Sequence, residues 1–228
     1  MKYGIICAME EEIKELRAQL THSTEKTLGG IAFYAGQLNG HDVVLVRSGI
    51  GKVQAGVTTA LLIVEFGVDH LINSGSAGGI GEGLHVGDVV FSTGAAYHDA
   101  DATAFGYLPG QLPQQPQIYP ADEELLHALE KAAKKADLAT KTGLIVTGDQ
   151  FVASNDKIQA IKEIYPKALC CEMEGAAIAQ VAYQFKVPFV IVRAMSDVGD
   201  EDAGQTFDEF IIDAGKRSAK MILNLMQD

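Results

Sequence analysis

Short apolar segments alternate with amphipathic segments along this chain, and the alternation limits the possible folds more than any other feature of the sequence. Each apolar segment is rich in β-branched residues and is bounded by glycine, proline or polar residues, as buried strands are. These segments predict strands at residues 3–8, 43–46, 70–73, 88–92, 144–147, 168–173 and 189–194. Strands that alternate with helices in this way indicate a layered α/β fold around a central sheet.

Helices are predicted where apolar residues recur every three or four positions and therefore fall on one face. The last helix has such a face, made of Phe207, Phe210, Ile211, Ala214, Ser218, Met221, Ile222 and Leu225. A helix after Pro120 has Leu125, Leu126, Leu129, Ala132 and Ala133 on one face, and a helix after Gly51 has Val53, Val57, Ala60, Leu61 and Val64. We expect these faces to pack on the sheet.

The pair Asn39-Gly40 lies between two strand-like segments, residues 33–38 and 41–46, and is a strong hairpin signal. Hairpin strands are antiparallel, so the sheet is expected to be mixed.

Residues 99–120 form the one long loop that the sequence predicts, with four of the six prolines and several aromatic residues. Long ordered loops with exposed aromatic residues are commonly functional or form interfaces. The chain has no repeat, linker or break in composition, so we expect a single domain over residues 1–228.

The charge balance narrows the possible partners. The 228 residues include 18 Lys and Arg against 30 Asp and Glu, and the net charge of −12 would repel a nucleic-acid backbone. The apolar runs are far shorter than the ~20 residues of a membrane helix, and Glu10, Glu11 and Glu12 follow the first run, which a secretory signal would not tolerate. We therefore expect a cytoplasmic protein that binds neither nucleic acid nor membrane.

The potential metal ligands lack a ligand pattern. Cys7, Cys170 and Cys171 lie inside apolar runs, which is typical of buried, reduced thiols. The six histidines are scattered without the spacing of a metal site. The sequence thus predicts no metal and no cofactor.

Two glycine-rich segments resemble phosphate-binding loops without matching one. The segment 48–52 has Val46 where a Walker A motif needs its first glycine and Val53 where it needs Ser or Thr. The segment 75–83 follows a strand but lacks the GxGxxG spacing and a following helix. Small residues at strand ends still let a ligand approach the backbone.

Acidic residues follow three of the predicted strands, where open α/β sheets bind ligands. They are Glu10, Glu11 and Glu12, then Glu172 and Glu174, and finally Asp197. Convergence on one pocket is one interpretation. The alternatives are an acidic helix start for the first group, an exposed rim for the second and a cap or loop for Asp197. Asp200, Glu201 and Asp202 are predicted to lie in a solvated loop.

Eight motifs, in order along the whole chain, resemble those of the 5′-methylthioadenosine/S-adenosylhomocysteine nucleosidases. They are the segments 4–12 (GIICAMEEE), 48–52 (SGIGK), 73–79 (NSGSAGG), 97–101 (YHDAD), 105–107 (FGY), 148–151 (GDQF), 172–177 (EMEGAA) and 193–197 (RAMSD). The resemblance implies a three-layer α/β/α, nucleoside phosphorylase-like fold with a mixed central sheet.

The resemblance also implies roles for individual residues. Asp197 would protonate adenine N7 as general acid, Glu12 would activate the attacking water, and Glu174 would accept hydrogen bonds from the ribose hydroxyls. Met173 and Phe151 would bracket the nucleoside, the backbone at Phe151 and Val152 would read the adenine edge, and Ser76 and Arg193 would hold the water and Glu12. Met9, Ile50 and Phe207 would line the sugar and thioether side, and Phe105 and Tyr107 would reach into the pocket of a neighbouring subunit in a homodimer.

These residue types suit the hydrolysis of an N-glycosidic bond. Adenine leaves more readily once protonated, which requires an acid whose pKa is raised by burial. The sugar passes through an oxocarbenium-like state, and a second carboxylate can activate the water that captures it. A thioether favours an apolar pocket with methionine or aromatic side chains.

Three alternatives remain open at this point. A phosphorylase of the same superfamily would need cations for phosphate, but Asn73 stands where the most similar phosphorylases carry arginine, although Arg47 and Lys52 are possible substitutes. A non-catalytic nucleoside-binding protein would not need both Glu12 and Asp197. Hydrolases of AMP or futalosine are the third alternative, and no added basic site for a 5′-phosphate is evident.

Overall fold

The computed structural model describes residues 1–198 and 203–227, which form ten strands and six α-helices. The strands are β1 (Lys2–Cys7), β2 (Thr21–Leu28), β3 (Ile31–Leu38), β4 (His41–Arg47), β5 (His70–Gly79), β6 (Val89–Tyr97), β7 (Tyr119–Pro120), β8 (Thr140–Thr147), β9 (Ala168–Glu172) and β10 (Phe189–Asp197). The helices are α1 (Glu10–Gln19), α2 (Lys52–Phe66), α3 (Glu123–Lys135), α4 (Asn155–Ile164), α5 (Gly175–Phe185) and α6 (Ala203–Leu225). All seven predicted strands are present.

One sheet contains all the strands, and part of it closes on itself. Its order is β10-β6-β8-β9-β5-β1-β4-β3-β2, and β10 also pairs with β5. Strands β5, β9, β8, β6 and β10 therefore form a closed ring, from which β1, β4, β3 and β2 extend. The pairs β1–β4, β1–β5 and β5–β10 are parallel, whereas β3–β4, β5–β9 and β6–β10 are antiparallel. The prediction of a mixed sheet is confirmed.

The helices form two layers, one on each face of the sheet. Helices α1, α3 and α6 share one apolar core with strand residues, and α2 and α5 share a second core on the other face. The predicted apolar face of α3 is buried, and Asp122 caps that helix by accepting a hydrogen bond from the Leu125 N–H at 2.8 Å. This arrangement confirms the three-layer α/β/α fold.

The Asn39-Gly40 hairpin is confirmed, and a second hairpin precedes it. Both turn residues have positive φ, 48° and 86°, as the two central residues of a type I′ turn require. Strand β2 pairs with β3 through a second turn at Gly29-Gly30. The sequence did not predict β2 because its side chains are almost all polar and exposed.

The predicted apolar face of α2 is not its buried face. Val53, Val57 and Val64 are exposed, whereas the helix buries Ala55, Thr58, Thr59 and Leu62. The hydroxyl of Thr59 donates to the Ala55 carbonyl at 2.7 Å, so this polar side chain is satisfied inside its own helix and can be buried. Helix α2 consequently presents a row of valines to solvent.

The segment 99–120 lies on the surface as a long loop that contains a short 3₁₀ turn (Thr103–Phe105) and ends in β7. Phe105 is 82% exposed and Leu108 is also exposed. The predicted loop at Asp200, Glu201 and Asp202 lies outside the described residues. Over residues 1–198 and 203–227, none of the helices combines the length and apolarity needed to span a bilayer.

Candidate active site

A cavity of about 340 Å³ opens where β1, β5, β9 and β10 end or pass, and each of the three acidic groups contributes at least one residue to it: Glu12, then Glu172 and Glu174, and finally Asp197. Of the predicted site residues, those that line it are Met9, Glu12, Ile50, Ser76, Phe151, Val152, Met173, Glu174, Arg193, Asp197 and Phe207. Phe105 and Tyr107 do not line it. The three acidic groups thus converge on one pocket.

Glu12 is held rigidly at the bottom of the cavity. It lies in the first turn of α1 and is 2% exposed. Its Oε2 accepts hydrogen bonds from the Ala8 and Met9 N–H groups at 2.8 and 2.9 Å, and its Oε1 accepts from both the N–H and the hydroxyl of Ser76 at 3.1 Å. Glu10 and Glu11, by contrast, belong to the ordinary acidic start of the helix.

Arg193 is the buried cation around which the acidic residues gather. The side chain is 1% exposed, and its guanidinium donates to Glu172, to Glu174 Oε2 at 3.3 Å and to Asn73 Oδ1 at 2.5 Å. Burial lowers the pKa of Arg193, but the neighbouring carboxylates outweigh that effect and hold the pKa above its ordinary value. Arg193 Nη1 donates to the Ser76 carbonyl at 3.0 Å, and Ser76 in turn binds Glu12, whose charge also helps to raise the pKa of Arg193.

Glu174 lies between this cation and the loop before α2. It is buried, and its Oε1 accepts the Gly51 N–H at 2.8 Å while Oε2 faces Arg193. Burial raises the pKa of Glu174 to about 7, with Glu172 adding to the rise and Arg193 opposing it. The carboxyl is therefore poised to change its charge near neutral pH.

Asp197 ends β10 and lies against Gly78 of β5, whereas Glu12 lies against Gly75 of the same strand. It is 2% exposed, and the Ser196 hydroxyl donates to its Oδ2 at 2.9 Å. Cys171 lines the cavity beside it, and burial together with Asp197 raises the pKa of this thiol to about 12. Cys171 is thus a neutral thiol at physiological pH and is not a nucleophile.

Two glycines of β5 make room for these carboxylates. A Cβ atom on Gly75 would lie 2.7 Å from Glu12 Oε1, and one on Gly78 would lie 2.9 Å from Asp197 Oδ1. Both contacts are too short for any side chain. The glycine-rich segment 75–83, which in sequence resembles a phosphate-binding loop, is largely strand, because residues 75–79 belong to β5. Its glycines serve the site by their lack of side chains.

Apolar side chains form the more open part of the cavity. Phe151 and Phe207 meet edge to face with their ring centroids 5.8 Å apart, and Met9, Ile50, Val152 and Met173 complete this surface. Ile50 and Phe151 are each about half exposed. A flat, apolar ligand would be enclosed by these groups on one side and by the carboxylates on the other.

Two residues that position the site were missed or misjudged from the sequence. An exposed rim was one of the two interpretations left open for Glu172, but this residue is buried and accepts hydrogen bonds from Arg193, from the Thr147 hydroxyl and from the Gly175 N–H at 2.7 Å. Asn73, considered only as a missing arginine, accepts from Arg193 and donates to the Ile6 carbonyl at 3.0 Å. The sequence signal for both residues was Arg193, because a cation inside an apolar strand needs buried polar partners.

Lys52 is occupied by two aspartates outside the cavity. Its ammonium lies 2.7 Å from Asp99 Oδ2 and 3.6 Å from Asp149 Oδ2, and its N–H donates to Asp149 Oδ1 at 2.9 Å. The Asp149 N–H in turn donates to Asp99 at 2.9 Å. This network joins the loop at Gly51 to the segment that carries Phe151.

Comparison with known proteins adds to this geometry. A family model described as the phosphorylase superfamily matches residues 2–227. A 5′-methylthioadenosine/S-adenosylhomocysteine nucleosidase from Actinobacillus succinogenes is 47% identical over 228 residues, covering 100% of this chain and 99% of that relative.

Two solved structures of nucleosidases are also similar to this chain. The nucleosidase of the same name from S. pneumoniae, with a transition-state inhibitor, superimposes with a TM-score of 0.96 at 48% identity over 100% of this chain and 99% of its own. The one from Neisseria meningitidis, in complex with methylthio-immucillin-A, gives 0.97 at 46% identity, covering 99% and 98%. The chain therefore belongs to the 5′-methylthioadenosine/S-adenosylhomocysteine nucleosidases, a family of enzymes within the phosphorylase superfamily.

Proposed function

We propose that this enzyme hydrolyses the N-glycosidic bond of 5′-methylthioadenosine and S-adenosylhomocysteine, releasing adenine and the thioribose. The observation that carries the proposal is the presence of two buried carboxylates, Glu12 and Asp197, at separate positions along β5 in one cavity. Gly75 and Gly78, which face them, lie three residues apart in the strand. In the proposal one carboxylate acts at the base of the nucleoside and the other at its sugar.

In the proposed mechanism Asp197 donates its proton to adenine N7 as the bond to C1′ breaks. Asp197 is buried and lines the cavity, so it can meet the base away from bulk water. The electron pair of the bond leaves with the base, and the positive charge develops on the sugar. Phe151 and Met173 bracket the nucleoside, and the backbone at Phe151 and Val152 reads the adenine edge.

Glu12 then takes a proton from the water that attacks C1′. Its four donors fix the carboxylate, and the Ser76 hydroxyl, which already contacts Glu12 Oε1, is placed to hold that water as well. Glu174 accepts hydrogen bonds from the ribose hydroxyls. Arg193 is a positioning residue in this scheme, since it binds Glu174 directly and reaches Glu12 through Ser76.

Water, and not phosphate, is the nucleophile that the charges near the cavity favour. Asn73 brings no positive charge, and Arg193 is already engaged by two carboxylates. Lys52 is paired with Asp99 and Asp149, and Arg47 faces Glu10 at 4.0 Å, so neither cation is directed into the cavity. A phosphate ion would lack the cluster of cations that phosphorylases need.

We also propose a homodimer in which the loop 99–120 completes the neighbour's pocket through Phe105 and Tyr107. The support is the exposure of Phe105 and Leu108 in this loop, together with the exposed valines of α2. Large apolar side chains exposed in groups are typical of interaction surfaces. Phe105 does not line the cavity of its own chain, which is open on the side where Ile50 is exposed.

The decisive assay incubates the purified protein with 5′-methylthioadenosine, with and without phosphate, and identifies the products by chromatography. We expect adenine and free methylthioribose at a rate that does not depend on phosphate. Phosphate-dependent formation of a sugar 1-phosphate would instead identify a phosphorylase, and binding without product would identify a nucleoside-binding protein.

The roles of the two carboxylates separate with an activated substrate. Asp197→Asn and Glu12→Gln should each lower kcat for 5′-methylthioadenosine by about 10²–10⁴-fold. A nitrophenyl 5-methylthioriboside has a leaving group that needs no protonation, so Asp197→Asn should cleave it nearly as fast as the wild type, whereas Glu12→Gln should not. The exposed neighbour variant Glu11→Gln serves as control. Equal loss on both substrates in Asp197→Asn would contradict its role as acid.

The raised pKa of Glu174 predicts how binding depends on pH. Only the ionised carboxylate accepts both ribose hydroxyls, so affinity for a non-hydrolysable methylthio nucleoside should be constant above pH 8 and fall as the pH drops below about 7. Well below that pKa the fall should be about tenfold per pH unit. Glu174→Gln should bind weakly with no such dependence, and the 2′-deoxy analogue should lose affinity mainly at high pH. A flat profile in the wild type would refute this role.

Subunit mixing tests the shared pocket. Phe105→Ala should lose most of its activity while folding normally, and Asp197→Asn is expected to be inactive. A hybrid dimer of the two contains one complete site, so an equal mixture refolded together should recover up to about a quarter of the wild-type sites. Activity no higher than the sum of the separate variants would show that Phe105 does not act across subunits.

A further inference from the structure

A second cavity, of about 480 Å³, lies next to the active site and is not used by the mechanism above. Its polar side chains are Glu10 and Arg17 of α1, Tyr34 of β3, Arg47 at the end of β4 and Gln54 of α2. We call it the arginine cavity. Its floor includes Gly29 and Gly30 at the tip of the first hairpin, which add no side chains to fill it.

Two short backbone segments separate the arginine cavity from the active site. Met9 lines the active site and Glu10 lines the arginine cavity, and likewise Ile50 lines the former and Gly49 the latter. Met9 and Ile50 are the residues assigned to the thioether side. Because adjacent Cα atoms are about 3.8 Å apart, the arginine cavity begins just beyond that side of the nucleoside pocket.

The charge of the arginine cavity is opposite to that of the protein. The chain has a net charge of −12, yet here two guanidinium groups face one carboxylate. Glu10 lies 3.3 Å from Arg17 Nη2 and 4.0 Å from Arg47 Nε. Among the described residues Glu10 is the only acid paired with Arg47, so most of its N–H donors are available to a ligand.

Arg17 is held in place before any ligand arrives. Its guanidinium lies over the Tyr34 ring, 5.1 Å from the centroid, and Nη1 lies 3.4 Å from the Tyr34 hydroxyl. A cation fixed on an aromatic face loses less conformational entropy on binding than a free side chain. The cavity therefore offers one oriented guanidinium, one with free donors and a carboxylate between them.

We propose that the arginine cavity binds the amino-acid end of S-adenosylhomocysteine, with the α-carboxylate on Arg47 and Arg17 and the α-ammonium near Glu10. This inference rests on the proposed function, since it assigns one part of that substrate. Beyond its sulfur this substrate carries two methylene groups and then a zwitterionic carbon, which matches a path past Met9 and Ile50 to paired charges of both signs. 5′-Methylthioadenosine ends at its methyl group and does not reach this cavity, and neither would a phosphate attached directly at C5′.

The test compares three substrates in variants of the arginine cavity. The substrates are S-adenosylhomocysteine, 5′-methylthioadenosine and 5′-butylthioadenosine, an uncharged thioether with a longer tail. The variants are Arg47→Gln and the double variant Arg17→Gln/Arg47→Gln. Lys167→Gln is the matched control, because Lys167 is an exposed cation just before β9, at the end of the strand opposite to the site.

Arg47→Gln should lower kcat/KM for S-adenosylhomocysteine by about two- to fivefold, the usual size for a partly exposed ion pair, mainly through KM. The double variant should lose more. The other two substrates should be unaffected, and Lys167→Gln should change none of the three.

Two results would overturn the inference. One is an unchanged kcat/KM for S-adenosylhomocysteine in the double variant, and the other is an equal loss on all three substrates, which would indicate a general effect on the fold. Failure of the proposed function would give a different result, because the wild type would then release no adenine even from 5′-methylthioadenosine. In that case the inference would be wrong as well.

Discussion

The guanidinium of Arg193 lies in the middle of β10 with almost no contact to water, and the arrangement of the site depends on how its charge is balanced. A buried cation is costly unless it is paired and its donors are satisfied. Glu172 and Glu174 supply the opposite charge, and the Asn73 and Ser76 oxygens accept further hydrogen bonds. These partners come from β5, β9 and the start of α5, so a single cation fixes three elements relative to one another.

The same balance gives the carboxyl groups of one cavity different surroundings. Glu172 accepts hydrogen bonds from Arg193, Thr147 and backbone N–H groups, so it holds these groups in position. Glu174 lies 3.3 Å from the Arg193 guanidinium, and burial, with Glu172 adding to the effect, raises its pKa to about 7. Asp197 lies apart from the cluster, next to Ser196. Distance from Arg193 thus distinguishes acidic residues that composition alone would treat as equivalent.

Local sequence patterns predicted the strands, the Asn39-Gly40 hairpin and the buried face of α3, because each depends on neighbouring residues. They failed for β2, whose polar side chains pair through the backbone, and for α2, where threonines are buried and valines are exposed. The convergence of Glu12, Glu174 and Asp197 depends on pairing between strands far apart in sequence. Spacing could suggest that convergence, and the family motifs made it specific. Neither the spacing nor the family motifs predicted the burial of Glu172, because that burial depends on Arg193, which lies on another strand.

The glycines of β5 bear on how selective inhibitors of such enzymes can be designed. Any side chain at Gly75 or Gly78 would collide with Glu12 or Asp197, so the wall of the pocket beside these two carboxylates has almost no freedom to vary. The open end of the active-site cavity is freer to vary, because half-exposed Ile50 and the arginine cavity beyond it carry no such steric constraint. Compounds that fill only the nucleoside pocket should therefore bind related enzymes alike, and discrimination between species should come from groups attached beyond the 5′-sulfur.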